Sequence, residues 1–232
     1  MTDPRYTRLA RLLVRYSTQL KKGDRVLLDL TDTPDEFAVE LMRAARGVGA
    51  TPLIEVRHSR IAREVQRGTD PRHAALVRDV ELHRMKRVAA YIAIRGSDNA
   101  SEISDVPTRL QALYARTLRP VLNHRVNRTR WVVLRWPTPS MAQAANLSTE
   151  AFEDFFFKVC TLDYRKMARA MVPLKRRMEK ADRVRLKSPG TDLAFSLRGI
   201  GAVACVGLRN IPDGEVFSCP VLSVSFSLKH SV

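Results

Sequence analysis

The sequence predicts an α/β protein: an amino-terminal domain with a mostly parallel sheet covered by helices, then the incomplete start of an α+β domain with antiparallel strands. Two observations predict this. Short apolar runs alternate with longer segments of helical spacing as far as Lys180, and from Ala181 onward the apolar period drops to two.

Tyr6, Leu9, Leu13, Tyr16 and Leu20 recur at spacings of three and four, with Arg5, Arg8, Arg11 and Arg15 around the rest of the turn, which predicts an amphipathic first helix. An Arg-rich amphipathic start also suits an organelle-targeting peptide, but Lys22-Gly23-Asp24 leads straight into a strand and favours a packed helix. Arg25 to Leu30 is that strand, and Pro34 to Arg46, with Phe37, Leu41 and Ala44 at helical spacing, is the next helix. Gly47 and Gly49 end it. Pro52 to Val56 reads as a strand, Pro71 to Arg87 as a helix, Val88 to Ile94 as a strand, Pro107 to Thr117 as a helix and Trp131 to Leu134 as a fourth strand. Such alternation implies right-handed crossovers and a parallel sheet.

Pro137-Thr138-Pro139 predicts a stiff turn, and Ser148 or Thr149 caps a helix whose first turns carry Glu150, Glu153 and Asp154 near the positive end of its dipole. Phe152, Phe155, Phe156 and Phe157 are expected in the core. After a helix from Tyr164 to Lys180, Val184 and Leu186, the Ser188-Pro189-Gly190-Thr191 turn, and Leu193, Phe195 and Leu197 predict a β-hairpin. The domain boundary is accordingly placed at 180/181, giving an amino-terminal domain over 1–180 and a truncated second domain over 181–232.

The chain has 232 residues and a formal charge of +16. That charge raises nonspecific association with nucleic acid whatever the fold. From Val106 to Thr149 there is no acid, while Arg109, Arg116, Arg119, Arg125, Arg128, Arg130 and Arg135 gather near Trp131 and Trp136. A standalone basic α/β binding module for nucleic acid or an acidic partner is therefore the alternative function, set against a plain buried strand from Trp131 to Trp136. Cys160, Cys205 and Cys219 have no CxxC spacing and suggest neither a disulfide framework nor a zinc ribbon, which fits a cytoplasmic protein. No secretory signal and no membrane-length apolar run is present.

No strand is followed by a GxGxxG or Walker-type glycine loop, and neither HExxH nor GxSxG occurs. His58, His73, His83 and His124 read as surface or capping residues, and Asp98 and Glu102 as polar loop residues after the third strand. The segment Arg209-Asn210-Ile211-Pro212-Asp213-Gly214-Glu215-Val216-Phe217 is different. It sets the Glu215 carboxylate between a turn and a strand, which suits a solvated turn acid or a metal ligand.

Asn210 to Phe217 resembles the first metal-binding segment of the thermophilic metalloaminopeptidase family, the leucyl-type aminopeptidases with a cocatalytic metal pair. Trp136 to Ala145, Glu153 to Cys160 and Ser188 to Leu193 resemble the same family in the same order. The resemblance implies hydrolysis of the amino-terminal residue of peptides, with two divalent ions such as zinc, cobalt or magnesium activating water and polarising the scissile carbonyl. It implies Glu215 as one metal ligand, peptide substrates and a homodimer for the full-length form, and further Glu, His, Tyr and Asp ligands from a later segment that cannot be placed here. After Cys219-Pro220 the chain departs from the family pattern, so 221–232 is expected to be a divergent tail left by a truncation or frame shift, and His230 within it is not assigned as a ligand. The chain is expected to bind metal weakly and to be inactive or weakly active, because one carboxylate cannot hold a metal pair.

Overall fold

The computed structural model describes residues 3–219; the expected tail 221–232 lies outside them. The helices are α1 (Pro4–Leu12), α2 (Asp35–Arg46), α3 (Ser59–Arg67), α4 (Pro71–Lys86), α5 (Thr108–Thr117), α6 (Arg119–Arg128), α7 (Pro139–Ala144), α8 (Thr149–Cys160) and α9 (Tyr164–Lys180), with a short π-helical segment Leu13–Ser17 continuing α1. The strands are β1 (Arg25–Thr31), β2 (Thr51–Arg57), β3 (Ala90–Arg95), β4 (Arg130–Arg135), β5 (Arg183–Ser188), β6 (Thr191–Ser196), β7 (Val203–Ala204), β8 (Asn210–Ile211) and β9 (Val216–Phe217). Two compact units divide the chain, one of residues 1–162 with 207–213 and one of 163–206 with 214 onward. The change from helical to two-residue period falls between α9 and β5, inside the second unit.

In the first unit the strands run in the order β2-β1-β3-β4-β8, every pair parallel. The predicted α/β class holds. One face presents Val26, Leu28, Leu30, Ile92, Ile94, Val132 and Leu134, all buried, together with Leu9, Leu13, Phe37 and Leu41 from α1, the π-helical segment and α2. Trp136 closes this layer in an aromatic group with Tyr6, Phe37 and Phe157, at ring separations of 5.2, 4.7 and 5.6 Å. Phe152, Phe156 and Phe157 are buried as expected, but Phe155 is 57% exposed, because it falls on the opposite side of α8 from the arc those three occupy.

The other face changes character along its strands. Leu27, Tyr91 and Ala93 pack with Met85 and Val88, and toward the carboxyl ends the same face carries Asp29, Glu55, Arg57 and Arg95. Asp29 is 8% exposed on the strand between β2 and β3. Its carboxylate accepts from the Tyr91 hydroxyl at 2.6 Å and from Arg95 Nη2 at 2.7 Å, and Arg57 Nε lies at 3.3 Å. Arg95 also donates to the Asp29 carbonyl and to the Tyr91 hydroxyl. Arg57 and Arg84 in turn hold Glu81, and Arg84 pairs with Glu55. Burial pulls the Asp29 carboxyl upward, but the Arg95 charge, the hydrogen bonds from Arg95 and Tyr91 and the Arg57 charge outweigh it and leave it below the ordinary carboxylate value.

β1 and β3 converge just beyond these charges. Gly96 donates its N–H to the Thr31 carbonyl at 2.7 Å, and a Cβ at Gly96 would stand 2.1 Å from the Asp32 carbonyl oxygen. Only a residue without a side chain fits there.

In the second unit α9 precedes the β5–β6 hairpin, paired from Arg183↔Ser196 to Ser188↔Thr191, as the alternating pattern predicts. β7 and β9 form a second small antiparallel pair.

Gly96→Ala should lower the unfolding free energy by about 2 kcal/mol or more, read as a fall in the urea midpoint, because the clash is with backbone that cannot rotate away. Asp29→Asn should cost about 3–5 kcal/mol by stranding the charges of Arg95 and Arg57. Because the Asp29 value is depressed on folding, its contribution is present above the unfolded value of about 3.9 and is lost as pH falls through the lower folded value. Wild-type stability should therefore decline below about pH 4 more steeply than that of Asp29→Asn, measured by urea titrations across that range.

Candidate functional site

The segment singled out by its turn and carboxylate runs from the first unit into the second. In the first unit Asn210 and Ile211 pair with Val133 and Leu134 of β4, the Val133 N–H donates to the Arg209 carbonyl at 2.8 Å, and the Asp213 carboxylate accepts the Gly207 N–H at 2.7 Å. Ile211 is buried, and the Ile211-Pro212 peptide is cis. In the second unit Gly214 has φ +149, which side chains rarely adopt, and a Cβ there would meet Met167 Sδ at 3.4 Å. Glu215 follows, immediately before β9. Its carbonyl accepts the Cys205 N–H at 2.8 Å within the β7–β9 pairing, and its side chain is exposed.

Glu215 thus has a fixed backbone and a carboxylate turned to solvent. Among the described residues no three His, Cys, Asp or Glu side chains gather into a group able to hold a metal ion. One exposed carboxylate falls short of the three or four protein ligands of a zinc-like site, so the described residues do not fit a metal pair. The four described histidines lie apart from Glu215 in sequence and element: His58 precedes α3, His73 and His83 lie on α4, and His124 lies on α6.

The sheet order offers a second place to look. The chain passes from β1 to β2 on one side and returns to β3 on the other, so the carboxyl ends of β1 and β3 flank the topological switch point where α/β sheets commonly bind ligands. An open cleft of about 840 Å³ lies there, lined by Asp32, His58, Ser59, Ser97, Asp98 and Asn99. Its lining mixes charges of both signs, with Arg60 and Arg63 beside Asp32, Glu64, Asp98 and Glu102. Asp32, in a left-handed conformation at φ +45, accepts the Ser59 N–H at 3.0 Å and the Ser59 hydroxyl, with His58 Nδ1 at 3.3 Å. It fills the amino terminus of α3 with a carboxylate, and Asp35 and Glu36 occupy the first turn of α2. Glu102 accepts from the Asn99 side chain at 3.3 Å, in keeping with the polar-loop reading of Asp98 and Glu102.

A second cleft of about 490 Å³ lies over the charged sheet face. Asp29, Arg57, Tyr91 and Arg95 line it together with Ile61 and Val65 of α3, Tyr114 of α5 and Leu122 and Arg125 of α6. The Arg125 guanidinium sits 4.9 Å from the Tyr91 ring centroid, and its Nε is buried without a hydrogen-bond partner among the described residues. Burial, reinforced by the Asp29 charge, pushes the Tyr91 hydroxyl up to about 12. Sequence reasoning did not single out Asp29, Tyr91 or Arg95. The available signal was Asp29 itself, a lone acid inside an otherwise apolar strand.

The basic segment 106–149 is less available than its composition suggests. Arg130 is held by Asp24 at 2.6 Å and donates to the Gln19 carbonyl at 2.6 Å. Trp136 is buried, and Trp131 lies under the Arg209 guanidinium at 5.8 Å, so Trp136 offers no face for base stacking. No helix among the described residues is long and apolar enough to cross a membrane.

Among solved structures, wild-type AmpT from Thermus thermophilus matches with a TM-score of 0.73 and 24% identity, over 94% of this chain and 62% of that one. A 2,5-dihydroxypyridine dioxygenase from Pseudomonas putida KT2440 matches with a TM-score of 0.51 and 10% identity, over 93% of this chain and 56% of that one. These are likenesses of fold, and the chain spans less than two thirds of the length of either structure. No curated protein matches the sequence. The model of the thermophilic metalloprotease (M29) family matches residues 2–224, nearly the whole sequence. The chain belongs to the thermophilic metalloprotease (M29) family.

Proposed function

We propose that this chain is part of a metal-dependent aminopeptidase, acting on the amino-terminal residue of peptides in the cytoplasm, and that Glu215 is one oxygen ligand of its divalent ions. The observation that carries the reading is the family match across 2–224, which includes a carboxylate whose backbone is anchored immediately before β9. An oxygen ligand suits zinc, cobalt or magnesium, and the ion, when bound, supplies Lewis acidity and an activated water. The part of the chain from 181 onward is read as the start of the metal-holding domain, and scattered cysteines support a reducing compartment.

The remaining ligands are not assembled among the described residues, so this chain by itself should be a poor catalyst. With added zinc, cobalt or magnesium, the pure 232-residue protein should release amino acids from leucyl peptides at below about 0.01 per second, against about 10 per second for a typical enzyme. Chelator-sensitive release at the typical rate would show a complete site and overturn the weak-catalyst reading.

The family activity itself is tested by resequencing the coding region past the codon for Val232 and translating every frame. The expected result is a frame encoding Glu, His, Tyr and Asp ligands. In the extended protein, Glu215→Gln should lower metal affinity or kcat/KM by about a hundredfold. An extended protein without metal-dependent peptidase activity, or one indifferent to Glu215→Gln, would remove the assignment.

A further inference from the structure

The cleft over the charged face of the first unit has a residual charge that its own residues do not neutralise. Three carboxylates of the lining, Asp29, Glu55 and Glu81, are matched by Arg57, Arg95 and Arg125 of the lining and by Arg84, which holds Glu55 and Glu81 from outside it, and the difference across this network is one positive charge. Arg57, Arg84 and Arg95 are committed to those carboxylates. Arg125 has no carboxylate partner among the described residues, and its buried Nε makes no hydrogen bond there. The cation is therefore left without a counter-charge, which an incoming carboxylate would supply.

The geometry suits one chemical class. The volume of about 490 Å³ lies in the range of small-molecule pockets, and Ile61, Val65 and Leu122 give it apolar walls. The Arg125 guanidinium lies over the Tyr91 ring, a contact that uses none of its N–H donors, and a guanidinium is matched by a planar two-oxygen acceptor. A cationic ligand would find every carboxylate already paired. A dianion would meet Asp29 with only one excess positive charge to offset it.

We propose that this cleft binds a small monocarboxylate with an apolar body, its carboxylate on Arg125 and its body against the α3 and α6 side chains. The site lies wholly within the first unit and does not rest on the peptidase reading.

The test uses the full 232-residue protein with hexanoate and 3-phenylpropanoate as probes, followed by calorimetry and protein-detected NMR at about 50 mM salt. Both carboxylates should bind, and their primary amides, equal in shape but uncharged, should bind about tenfold or more weakly. Arg125→Gln should lose about tenfold or more in affinity. Arg109→Gln, which removes a charge from the same basic segment outside the cleft, should bind as the parent does. If Arg125→Gln proves unfolded by circular dichroism, Val65→Trp, which fills the cleft from α3, decides instead by abolishing binding. The proposal is overturned by acids and amides binding alike or by no binding up to about 10 mM. It is equally overturned by an unchanged affinity in folded Arg125→Gln or in Val65→Trp, or by an equal loss in Arg109→Gln, which would mean general charge attraction.

Discussion

A carboxylate buried on an inner strand is the constraint around which the first unit is arranged. Asp29 has no route to water that would leave β1 paired on both sides, so its charge must be met inside the protein. Three residues meet it, and each sits where the parallel register delivers it: Arg57 and Arg95 lie opposite Thr31 on the two neighbouring strands, and Tyr91 lies one step back, opposite Leu27. A one-residue slip of either neighbour would carry these side chains to the opposite, apolar face. The network therefore specifies register as well as neutralising charge. A well-packed apolar alternative at these positions could match it in stability while specifying the strand alignment less strictly.

The division of the sheet into one apolar face and one mixed face then sets where chemistry can occur. The face packed by α1 and α2 is filled by aliphatic and aromatic side chains, and its aromatic group takes Trp136 out of any binding role. The opposite face cannot be filled in the same way, because helices laid on a floor of paired charges cannot pack as closely as on aliphatic side chains. The cleft between that floor and α3, α5 and α6 is the geometric result. The switch-point crevice shows the complementary lesson: the topology places a crevice, but Asp32 and the acidic first turn of α2 determine what it could accept.

Most of the architecture was legible because burial on both faces writes strands as near-continuous apolar runs, as in Ala90 to Ile94 and in Val26 to Leu30, interrupted only by Asp29. What escaped notice lacks that signature. α3 has no buried residue, α6 begins directly after α5 at Arg119-Pro120 with no apolar stripe, and β8 contributes only two residues to the sheet edge. Phe155 was misread for a related reason: four aromatic residues within six positions cannot all lie on one side of a helix. The charged cleft was invisible because Asp29 and Arg95 stand 66 positions apart and only strand register brings them together. A lone acid in an apolar strand announces that a partner exists without saying which.

Glu215 shows the converse limit. Its backbone is fixed by Gly214, the β7–β9 pairing and the turn before it; the turn and the start of β9 were implicit in Pro212-Asp213-Gly214 followed by Val216-Phe217, whereas the pairing with β7 was not. A fixed backbone is what a metal ligand needs, since an ion tolerates little positional spread in its donors. The same rigidity would serve a turn acid with no ligand at all. What distinguishes a metal ligand is further donors converging on the same point, and donors are recruited by tertiary structure from separate stretches of sequence. The role proposed for Glu215 depends on such a set, whereas the Arg125 cleft draws all of its lining from the first unit.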